Sequence, residues 1–281
     1  MYNVVTKSVI AISLGVAMIG TSCGNRDKEL AEGLLTQSTE LYESGNYSLA
    51  LELLDSIDKT YPAEVDIRRQ AMHLRPQVIE KQTLIDLQVA DSVAVVQLLK
   101  GDSLNRLLSY VSNPVEGYYV GTTAKGIDAG SVPGLHARMS PDGQFYILST
   151  SKRLVKSTSF SVACNGEEAR SSVVEFDGER NDRASGVEII TFIQAECDSV
   201  GKFVMKHRNE PLILTIHGSS SYSMPLPENQ REAIAQVYET AMSIRDCKLT
   251  QLNKARLEKQ LSVARSQMAK TFNESKSQDN I

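Results

Sequence analysis

The chain has 281 residues, with 30 lysines and arginines against 34 aspartates and glutamates, which gives a net charge of −4 at neutral pH. The basic residues are scattered among carboxylates and form no basic tract, so the sequence lacks the electrostatic signature of a nucleic-acid-binding protein. Tryptophan is absent and aromatic residues make up only 6% of the chain, which argues against carbohydrate binding by aromatic stacking.

The first 22 residues have the pattern of an export signal. Lys7 precedes an apolar run over residues 8–20 that contains no charged side chain, and small residues lead from there to Cys23. The run is too short for a mature transmembrane helix, which needs about 20 apolar residues. The small residues before Cys23 resemble the lipobox of bacterial lipoproteins. An ordinary secretory signal with an incidental cysteine is the alternative interpretation.

The lipobox resemblance implies a lipid-anchored protein of the bacterial cell envelope. In such a protein residues 1–22 are a cleaved signal peptide, Cys23 carries the lipid, and residues 23–29 form a linker at the membrane. The residue after the cysteine is Gly24 and not an aspartate, and in this the chain resembles lipoproteins that are sent on to the outer membrane. We therefore expect an outer-membrane lipoprotein and leave open which face of the membrane it occupies.

Residues 30–62 carry the clearest local pattern after the anchor, that of a helical hairpin. Gly45 permits a tight turn, Ala50 lets two helices approach closely, and Pro62 stops the second helix. The spacing resembles one tetratricopeptide repeat, although Gln37 and Ser38 stand where leucine and glycine are usual. The matching positions are Leu34, Leu41, Tyr42, Gly45, Tyr47, Ala50, Leu54, Ile57 and Pro62. A generic antiparallel helix pair is the alternative.

Units of this repeat family bind protein segments, so the resemblance implies a protein partner near the hairpin. Tyr42, Tyr47 and Tyr61 are the candidate partner-binding residues, with a packing role as the alternative for all three. One repeat cannot bury its own apolar face. We therefore expect the following residues, 63–113, to cover it.

Residues 63–113 and 228–272 predict two long helices, followed by a polar tail over residues 273–281. Helical steps connect Leu84, Leu87, Ala94 and Leu98 in the first, and Leu257, Leu261, Ala264 and Met268 in the second. Steps of three and four suit a coiled-coil seam, and two such helices around one compact domain most simply run antiparallel. Pro76 predicts a kink or a helix start. Gly101 is expected to end one helix and Asp102 to cap the next, which would run on through Leu104, Leu108 and Val111.

Residues 114–227 change to short apolar runs separated by turn residues, which predicts a small domain rich in antiparallel strands. Strands are expected over residues 118–121, 135–139, 144–148, 159–163, 172–176, 187–194 and 211–216. Turns are expected at residues 141–143 and 177–178, with an exposed charged loop over residues 179–183. Asp198 is expected to cap a short helix whose buried face includes His207. The predicted fold class of the whole chain is therefore α+β.

The sequence specifies no reaction. Gly101-Asp102-Ser103-Leu104 resembles the block of the GDSL hydrolases, but none of the four histidines has the aspartate three residues earlier that this family uses for its base, and a serine without a base is a weak nucleophile. Phosphate-binding loops, nucleophile elbows, HExxH and CxxC are also missing from the sequence. We therefore predict no enzyme, no catalytic residue, no metal and no cofactor.

Two further modifications are open. Cys164 and Cys197 can form a disulfide in an oxidising envelope, or can be small buried apolar side chains. Four Asp-Ser-apolar triplets resemble the O-glycosylation acceptors of Bacteroidota envelope proteins. The acceptor serines are Ser56, Ser92, Ser103 and Ser199. The alternative is that each Asp-Ser pair caps a helix.

These features favour a non-catalytic cell-envelope lipoprotein that acts as a protein–protein interaction or scaffold module. A ligand-binding or hydrolytic α+β domain displayed from the membrane by helices is the alternative, and it requires a concave pocket with convergent polar groups. A third hypothesis is self-association through the long helices, which requires an exposed apolar seam.

Overall fold

The computed structural model describes residues 23–278 apart from residue 185. The predicted signal peptide, the side chain of Cys23 and residues 279–281 lie outside the described part, so lipidation of Cys23 stays a prediction. Within the described part, none of the helices combines the length and the apolar character that crossing a bilayer requires.

The α+β class predicted from the sequence is confirmed. Helices precede and follow two antiparallel sheets, and two of the helices are long: α3 (Val65–Asn105) and α5 (Glu228–Gln278). The described residues divide into two compact units, the first made of residues 23–86 and 258–278 and the second of residues 87–257. Since the boundaries lie inside α3 and α5, each long helix contributes residues to both units.

The first unit is built around the predicted hairpin. Helices α1 (Cys23–Glu43) and α2 (Tyr47–Thr60) meet at a turn in which Gly45 adopts a φ of +80°, a conformation that favours glycine. The start of α3 packs on the hairpin, which confirms the expected cover. The buried residues of this shared core are Ala31, Ala50, Leu54, Ile57, Ile67, Ala71 and Val78. The expected linker over residues 23–29 is part of α1.

Ser38 shows why the hairpin tolerates a departure from the repeat pattern. Its side chain is fully buried, and its hydroxyl donates a 3.0 Å hydrogen bond to the backbone oxygen of Ala50 on the other helix. The pairing satisfies a polar atom that would otherwise be costly to bury. A serine therefore fits at this contact between α1 and α2.

Helix α3 is continuous, so the helix break predicted at Gly101 and Asp102 is wrong. Pro76 also lies inside it, where its missing N–H removes one backbone hydrogen bond. The flanking turns remain helical because Ala71 and Val78 are buried in the hairpin core on either side of the proline. The helix ends at Asn105, and the residues that follow it pair as a strand.

The two long helices run antiparallel in the second unit, as predicted. In the first unit they are in contact through Arg265 Nε, which lies 2.8 Å from Glu80 Oε1. In the second unit Lys254 pairs with Asp91, and Lys100 Nζ lies 3.4 Å from Glu239 Oε1. Since higher residue numbers on α3 pair with lower numbers on α5, the chains run in opposite directions. Helix α5 continues to Gln278, beyond the predicted end at residue 272.

Among its described residues, the second unit has ten strands in two antiparallel sheets. The strands are β1 (Leu108–Val111), β2 (Tyr118–Gly121), β3 (Gly134–Met139), β4 (Phe145–Ser151), β5 (Ser159–Cys164), β6 (Glu167–Arg170), β7 (Asn181–Ala184), β8 (Val187–Ile193), β9 (Leu212–His217) and β10 (Ser221–Leu226). One sheet has the order β1-β2-β3-β4-β8-β7 and the other the order β10-β9-β5-β6.

Most predicted strands are present, and the exceptions have identifiable causes. Residues 172–176 are not a strand, because Ser172 and Val174 donate their backbone N–H groups to the oxygens of Glu196 and Thr158 in neighbouring segments. The charged loop expected over residues 179–183 contains strand β7, which pairs with β8 across a turn at Gly186. Strand β10 was not predicted, and its Pro225 is tolerated because β10 is an edge strand.

Both sheets and two helices surround one core in the second unit. Phe160 and Phe192 meet edge to face at 4.8 Å between ring centroids, and Phe145 meets Tyr238 of α5 at 5.0 Å. Helix α4 (Asp198–Lys206) packs on β5 and β6. The first turns of α5 bury Ile234, among others, in the same core. Large buried side chains are Phe145, Phe160, Phe192, Leu135, Ile147, Ile190, Leu212, Leu214, Ile216 and Ile234.

Candidate functional site

The most unusual surface of the second unit is an exposed group of aliphatic side chains on α3. We call this group the aliphatic face, and its side chains are between 42% and 66% exposed. Its members are Val89, Val93, Val95, Val96, Leu98 and Leu99. At about 100° per residue, Val89, Val93 and Val96 fall within a stripe about 60° wide. At the same pitch Val95, Leu98 and Leu99 lie about 240°, 180° and 280° around the axis from Val89, so the group is spread over about 220° and the stripe is one edge of it. Large exposed apolar patches mark interaction surfaces in soluble proteins.

The opposite side of the same helix segment is less apolar than this outer face. Buried and half-buried positions recur in steps of three and four, and we call them the inner seam. They are Leu87, Ala90, Ala94, Gln97, Gly101 and Leu104. Four of the six are small or polar, and Gln97 Oε1 is buried without a hydrogen-bond partner among the described residues. The facing seam positions of α5 include Cys247, Thr250 and Lys254.

This distribution reverses the usual pattern of a surface helix, which places its large apolar side chains inwards. The predicted seam position of Leu98 is wrong, because Leu98 is 64% exposed and belongs to the aliphatic face. Two more exposed aliphatic residues, Leu249 and Leu252, lie on α5. The Asp91–Lys254 pair sets a register in which Leu249 and Leu252 lie level with Val96 and Val93.

The three candidate partner-binding tyrosines have packing roles. The rings of Tyr42 and Tyr47 are 5.9 Å apart, and both are half-buried against the hairpin core. Tyr61 is also half-buried against that core, directly after α2. Each ring therefore packs on the hairpin and keeps part of its surface exposed, and partner binding by these tyrosines stays a prediction.

The four candidate glycosylation serines all lie within helices, and Ser92, Ser103 and Ser199 are exposed while Ser56 is half-exposed. Three of the hydroxyls donate to backbone oxygens at 2.8–2.9 Å. The capping alternative is wrong at three of the four sites, because Asp55, Asp91 and Asp102 lie inside α2 and α3, far from a helix start. At the fourth site Asp198 is the first residue of α4, and the N-cap position is occupied by Cys197. Glycosylation of these serines stays a prediction.

Cys164 and Cys197 are both free thiols, so the disulfide that the sequence left open is not formed. Cys164 Sγ lies 3.2 Å from Glu210 Oε2, whereas Cys197 Sγ lies 3.3 Å from the backbone oxygen of Phe192. Burial raises the pKa of the Cys197 thiol well above its ordinary value. The two thiols are therefore buried in different surroundings, in line with the alternative of small buried side chains.

A serine–histidine pair on the four-stranded sheet was missed by sequence reasoning. Ser161 Oγ lies 3.0 Å from His217 Nε2, and His217 Nδ1 lies 3.1 Å from Ser221 Oγ. Burial and the nearby Arg170 lower the pKa of His217, which favours a neutral imidazole able to accept a proton. Ser161 is only 2% exposed, however, so a substrate cannot reach its hydroxyl in this conformation. We interpret the pair as a hydrogen-bonded support of the sheet.

An open polar cavity of about 690 Å³ lies beside the start of α5. Its lining residues are Thr123, Arg208, Asn209, Glu228, Asn229, Arg231 and Glu232. Charged and amide side chains dominate this lining, whereas small-molecule sites are mostly apolar. If the second unit is a displayed ligand-binding domain, this cavity is a candidate site for the ligand.

No protein-family model, curated protein or solved structure matches this chain. The geometry of the described residues is therefore the basis for assigning a function.

Proposed function

We propose that this protein is a non-catalytic scaffold of the cell envelope whose aliphatic face binds an amphipathic helix of a partner protein. The single observation that carries the proposal is the distribution on α3, where six valines and leucines face solvent while four of the six inner-seam positions are alanine, glutamine or glycine. A helix pair with this distribution gains apolar burial only when another element covers its outer face.

A helical partner fits the spacing of the exposed side chains. Val89, Val93 and Val96 repeat in steps of four and three, which is the spacing at which one helix receives the side chains of another. A membrane surface fits less well, because helices that lie on anionic lipid carry lysine and arginine along their polar side. Residues 87–105 contain a single basic residue, Lys100.

The size of the expected contribution follows from the exposed areas. Complete burial of a valine side chain contributes about 1.5–3 kcal/mol, so covering a valine that is 58% or 65% exposed contributes about 1 kcal/mol. Replacing both Val89 and Val96 by lysine therefore removes about 2 kcal/mol from binding, before any cost of burying the new charges. This corresponds to a loss of affinity of roughly 30-fold.

Crosslinking and pull-down from native membranes test the proposal. The full-length wild-type protein is compared with Val89→Lys/Val96→Lys and with a matched control, Val115→Lys/Val173→Lys, whose valines are 95% and 72% exposed outside α3. We expect the wild type and the control to capture the same partner and the α3 variant to lose it. Circular dichroism should show equal helix content in all three, because only exposed side chains are changed.

Unchanged capture by the α3 variant would refute the proposed site. Native mass spectrometry of the unlipidated protein identifies a second copy as the occupant if a dimer forms in the wild type and not in the α3 variant, and that result would replace the partner helix. Binding of the unlipidated protein to anionic vesicles that depends on Val89 and Val96 would identify a membrane surface and likewise overturn the proposal.

The envelope location has its own test, because it depends on Cys23. Metabolic labelling with a clickable fatty acid should label the wild type and not Cys23→Ser, and the variant should be released from the membrane fraction. Equal labelling of both proteins would overturn the assignment of the lipid to Cys23.

A further inference from the structure

Three side chains that commonly bind metals meet beside the end of α4, outside the aliphatic face. Cys164 is the last residue of β5, His207 follows α4 directly, and Glu210 lies in the turn before β9. Cys164 Sγ is 3.2 Å from Glu210 Oε2, and His207 Nδ1 is 2.9 Å from Glu210 Oε1. One ligand atom from each residue lies within 4.8 Å of the other two.

The imidazole supplies a second observation. His207 is only 7% exposed, and its Nε2 is buried without a hydrogen-bond partner among the described residues. The nearest carboxylate oxygen, Glu167 Oε2, is 3.5 Å away, beyond good hydrogen-bond geometry. Buried polar atoms are nearly always paired, and a bound ion is one of the standard explanations of an exception. The unpaired Nε2 faces Glu167, whereas Nδ1 faces Glu210, so a cation held together with Glu210 would bind Nδ1 in place of its hydrogen bond.

The distances already approach those of a coordinated cation. Zinc binds sulfur at about 2.3 Å and nitrogen or oxygen at about 2.0–2.2 Å in tetrahedral geometry, which places neighbouring ligand atoms about 3.3–3.7 Å apart. The 2.9 Å and 3.2 Å contacts need to open by only a few tenths of an ångström to reach these values. The ligand atoms of Cys164 and His207 lie within 4.8 Å of each other and have to approach by up to about 1 Å.

The ligand types select the class of cation. A thiolate with an imidazole suits zinc and cobalt, whereas calcium and magnesium prefer all-oxygen sites. A divalent cation would be neutralised by one thiolate and one carboxylate, so the loaded site carries no net charge, which suits a site where Cys164 is only 6% exposed. Binding replaces the thiol proton with the metal and releases that proton to solvent.

Two neighbouring side chains position Glu210. The side-chain amide of Asn165 donates to Glu210 Oε2, and Arg231 Nη1 donates to the backbone oxygen of Glu210. Hydrogen bonds of this kind orient the ligands of metal sites in proteins. The carboxylate is therefore positioned before any cation arrives.

We propose that Cys164, His207 and Glu210 form a binding site for a zinc-class divalent cation, with the fourth coordination position open to water or to the neighbouring Glu167. The site is independent of the aliphatic face, and its failure would leave the proposed function intact. The sequence offered no local signal for it, because Cys164 is far from His207 in the chain and only the His207–Glu210 spacing of three is local.

Cobalt and zinc binding to the tag-free, full-length protein test the site. Co²⁺ added to chelator-treated protein should produce a thiolate-to-cobalt charge-transfer band that saturates at one equivalent, and Zn²⁺ should abolish it. Cys247→Ser is the matched control, because it removes the half-exposed thiol on α5 and should retain the band. Cys164→Ser should lose the band and weaken zinc binding by roughly 100-fold or more, since loss of even an outer-shell partner costs about 10–100-fold.

A second measurement keeps the test decisive if Cys164→Ser does not fold. Zinc at about a hundredfold excess over its Kd should raise the Tm of the wild type and of Cys247→Ser by roughly 5–10 °C. The rise should be absent in His207→Gln and reduced in Glu210→Gln, which changes the carboxylate with little change in size. A wild type without the cobalt band, or a band that survives in Cys164→Ser or His207→Gln, would overturn the proposal and leave an ordinary hydrogen-bonded cluster.

Discussion

Glu188 is the most strongly held carboxylate in the second unit, and replacing it with glutamine should destabilise that unit. The side chain is fully buried and accepts five hydrogen bonds. Ser157 donates its backbone N–H and its hydroxyl to Oε1 at 2.5 Å each, and the Lys156 N–H donates to Oε2 at 3.1 Å. Arg183 donates to Oε2 from Nε and Nη2 at 3.0 and 2.8 Å. The carboxylate thus connects strand β8 with the loop before β5 and with edge strand β7.

The expected loss for Glu188→Gln is about 3 kcal/mol of unfolding free energy. Removing one partner of a buried ion pair typically costs about 3–5 kcal/mol, because the remaining groups stay unpaired. The low end applies because the side chain of Arg183 is 38% exposed and regains water. Both carboxylate oxygens accept from donors, so the NH₂ group of the new amide faces hydrogen-bond donors whichever way it is oriented. A loss of this size lowers the Tm of a unit of this length by about 6–12 °C.

The same contacts predict a dependence on pH. Burial by itself raises the pKa of Glu188, but the hydrogen bonds from Ser157 and Arg183 outweigh it and hold the pKa below the ordinary value of 4.5. In acid the unfolded chain therefore takes up a proton before the folded chain does. This contribution to stability is fully present above about pH 4.5 to 5 and is lost as the pH falls towards the folded-state pKa.

Urea unfolding followed by far-UV circular dichroism measures both effects, since the chain has no tryptophan to serve as a fluorescent probe. Glu116→Gln is the matched control, because Glu116 is exposed and its replacement should change the free energy of unfolding by less than about 0.5 kcal/mol. The loss in Glu188→Gln should shrink as the pH is lowered below 4.5. A loss below about 1 kcal/mol at neutral pH, or one that does not change in acid, would refute the reasoning.

Three further predictions follow from close contacts and from burial. Gly134→Ala should cost about 2–4 kcal/mol, because Gly134 has a φ of +128° and an added Cβ would lie 2.0 Å from Gln230 Oε1; urea unfolding measures it, and a loss under 1 kcal/mol would contradict the geometry. Ala50→Leu should destabilise the hairpin by about 1–3 kcal/mol or more, whereas Leu49→Ala, at a position 51% exposed, should cost far less, as thermal unfolding can show. Burial lowers the pKa of His136 below 6.5, so its folded form stays neutral and stability should fall as the pH drops below about 6.5; an NMR titration midpoint at or above 6.5 would contradict this.

The parts of the fold that the sequence predicted are those with a strong local signal. The hairpin follows from Gly45, Ala50 and Pro62, whose conformational limits act within a few residues. Strands β2 to β5 and the turn at residues 141–143 follow from alternation and turn residues, which are also local. The helix predicted over Leu108 and Val111 is wrong, because these residues form strand β1. The helix break at Gly101 failed because the loss from one glycine, about 1 kcal/mol, is smaller than the gain from keeping a long helix packed on α5.

The edge strands were missed for a different reason. Strand β7 is short and charged and shows no alternation, and strand β10 contains Pro225. Each becomes a strand because a neighbouring strand offers it backbone hydrogen bonds. Pairing of this kind depends on which segment lies next to the edge, and a single sequence does not contain that information.

The same limit applies to the candidate sites. Periodicity alone predicts Leu98 in the seam, because helical steps connect it to Leu87 and Ala94. Similar steps also connect Leu87 and Ala94 to the residues that do face inwards. The structure shows the alternative set, in which Ala90, Gln97 and Leu104 face inwards and Leu98 faces solvent. The choice between two apolar stripes on one helix is made by the helix that packs against it.

The α+β class, the hairpin, the two long helices and the lipoprotein-like start are predictable from the sequence, because each depends on residues that are close in the chain. Long-range packing determines which face of α3 stays exposed, and which thiol, imidazole and carboxylate meet beside α4. Cys164 and His207 lie on separate elements, and the pairing of β5 with its sheet and the packing of α4 upon it bring them together. Their meeting depends on long-range packing, which is a property of the folded chain as a whole.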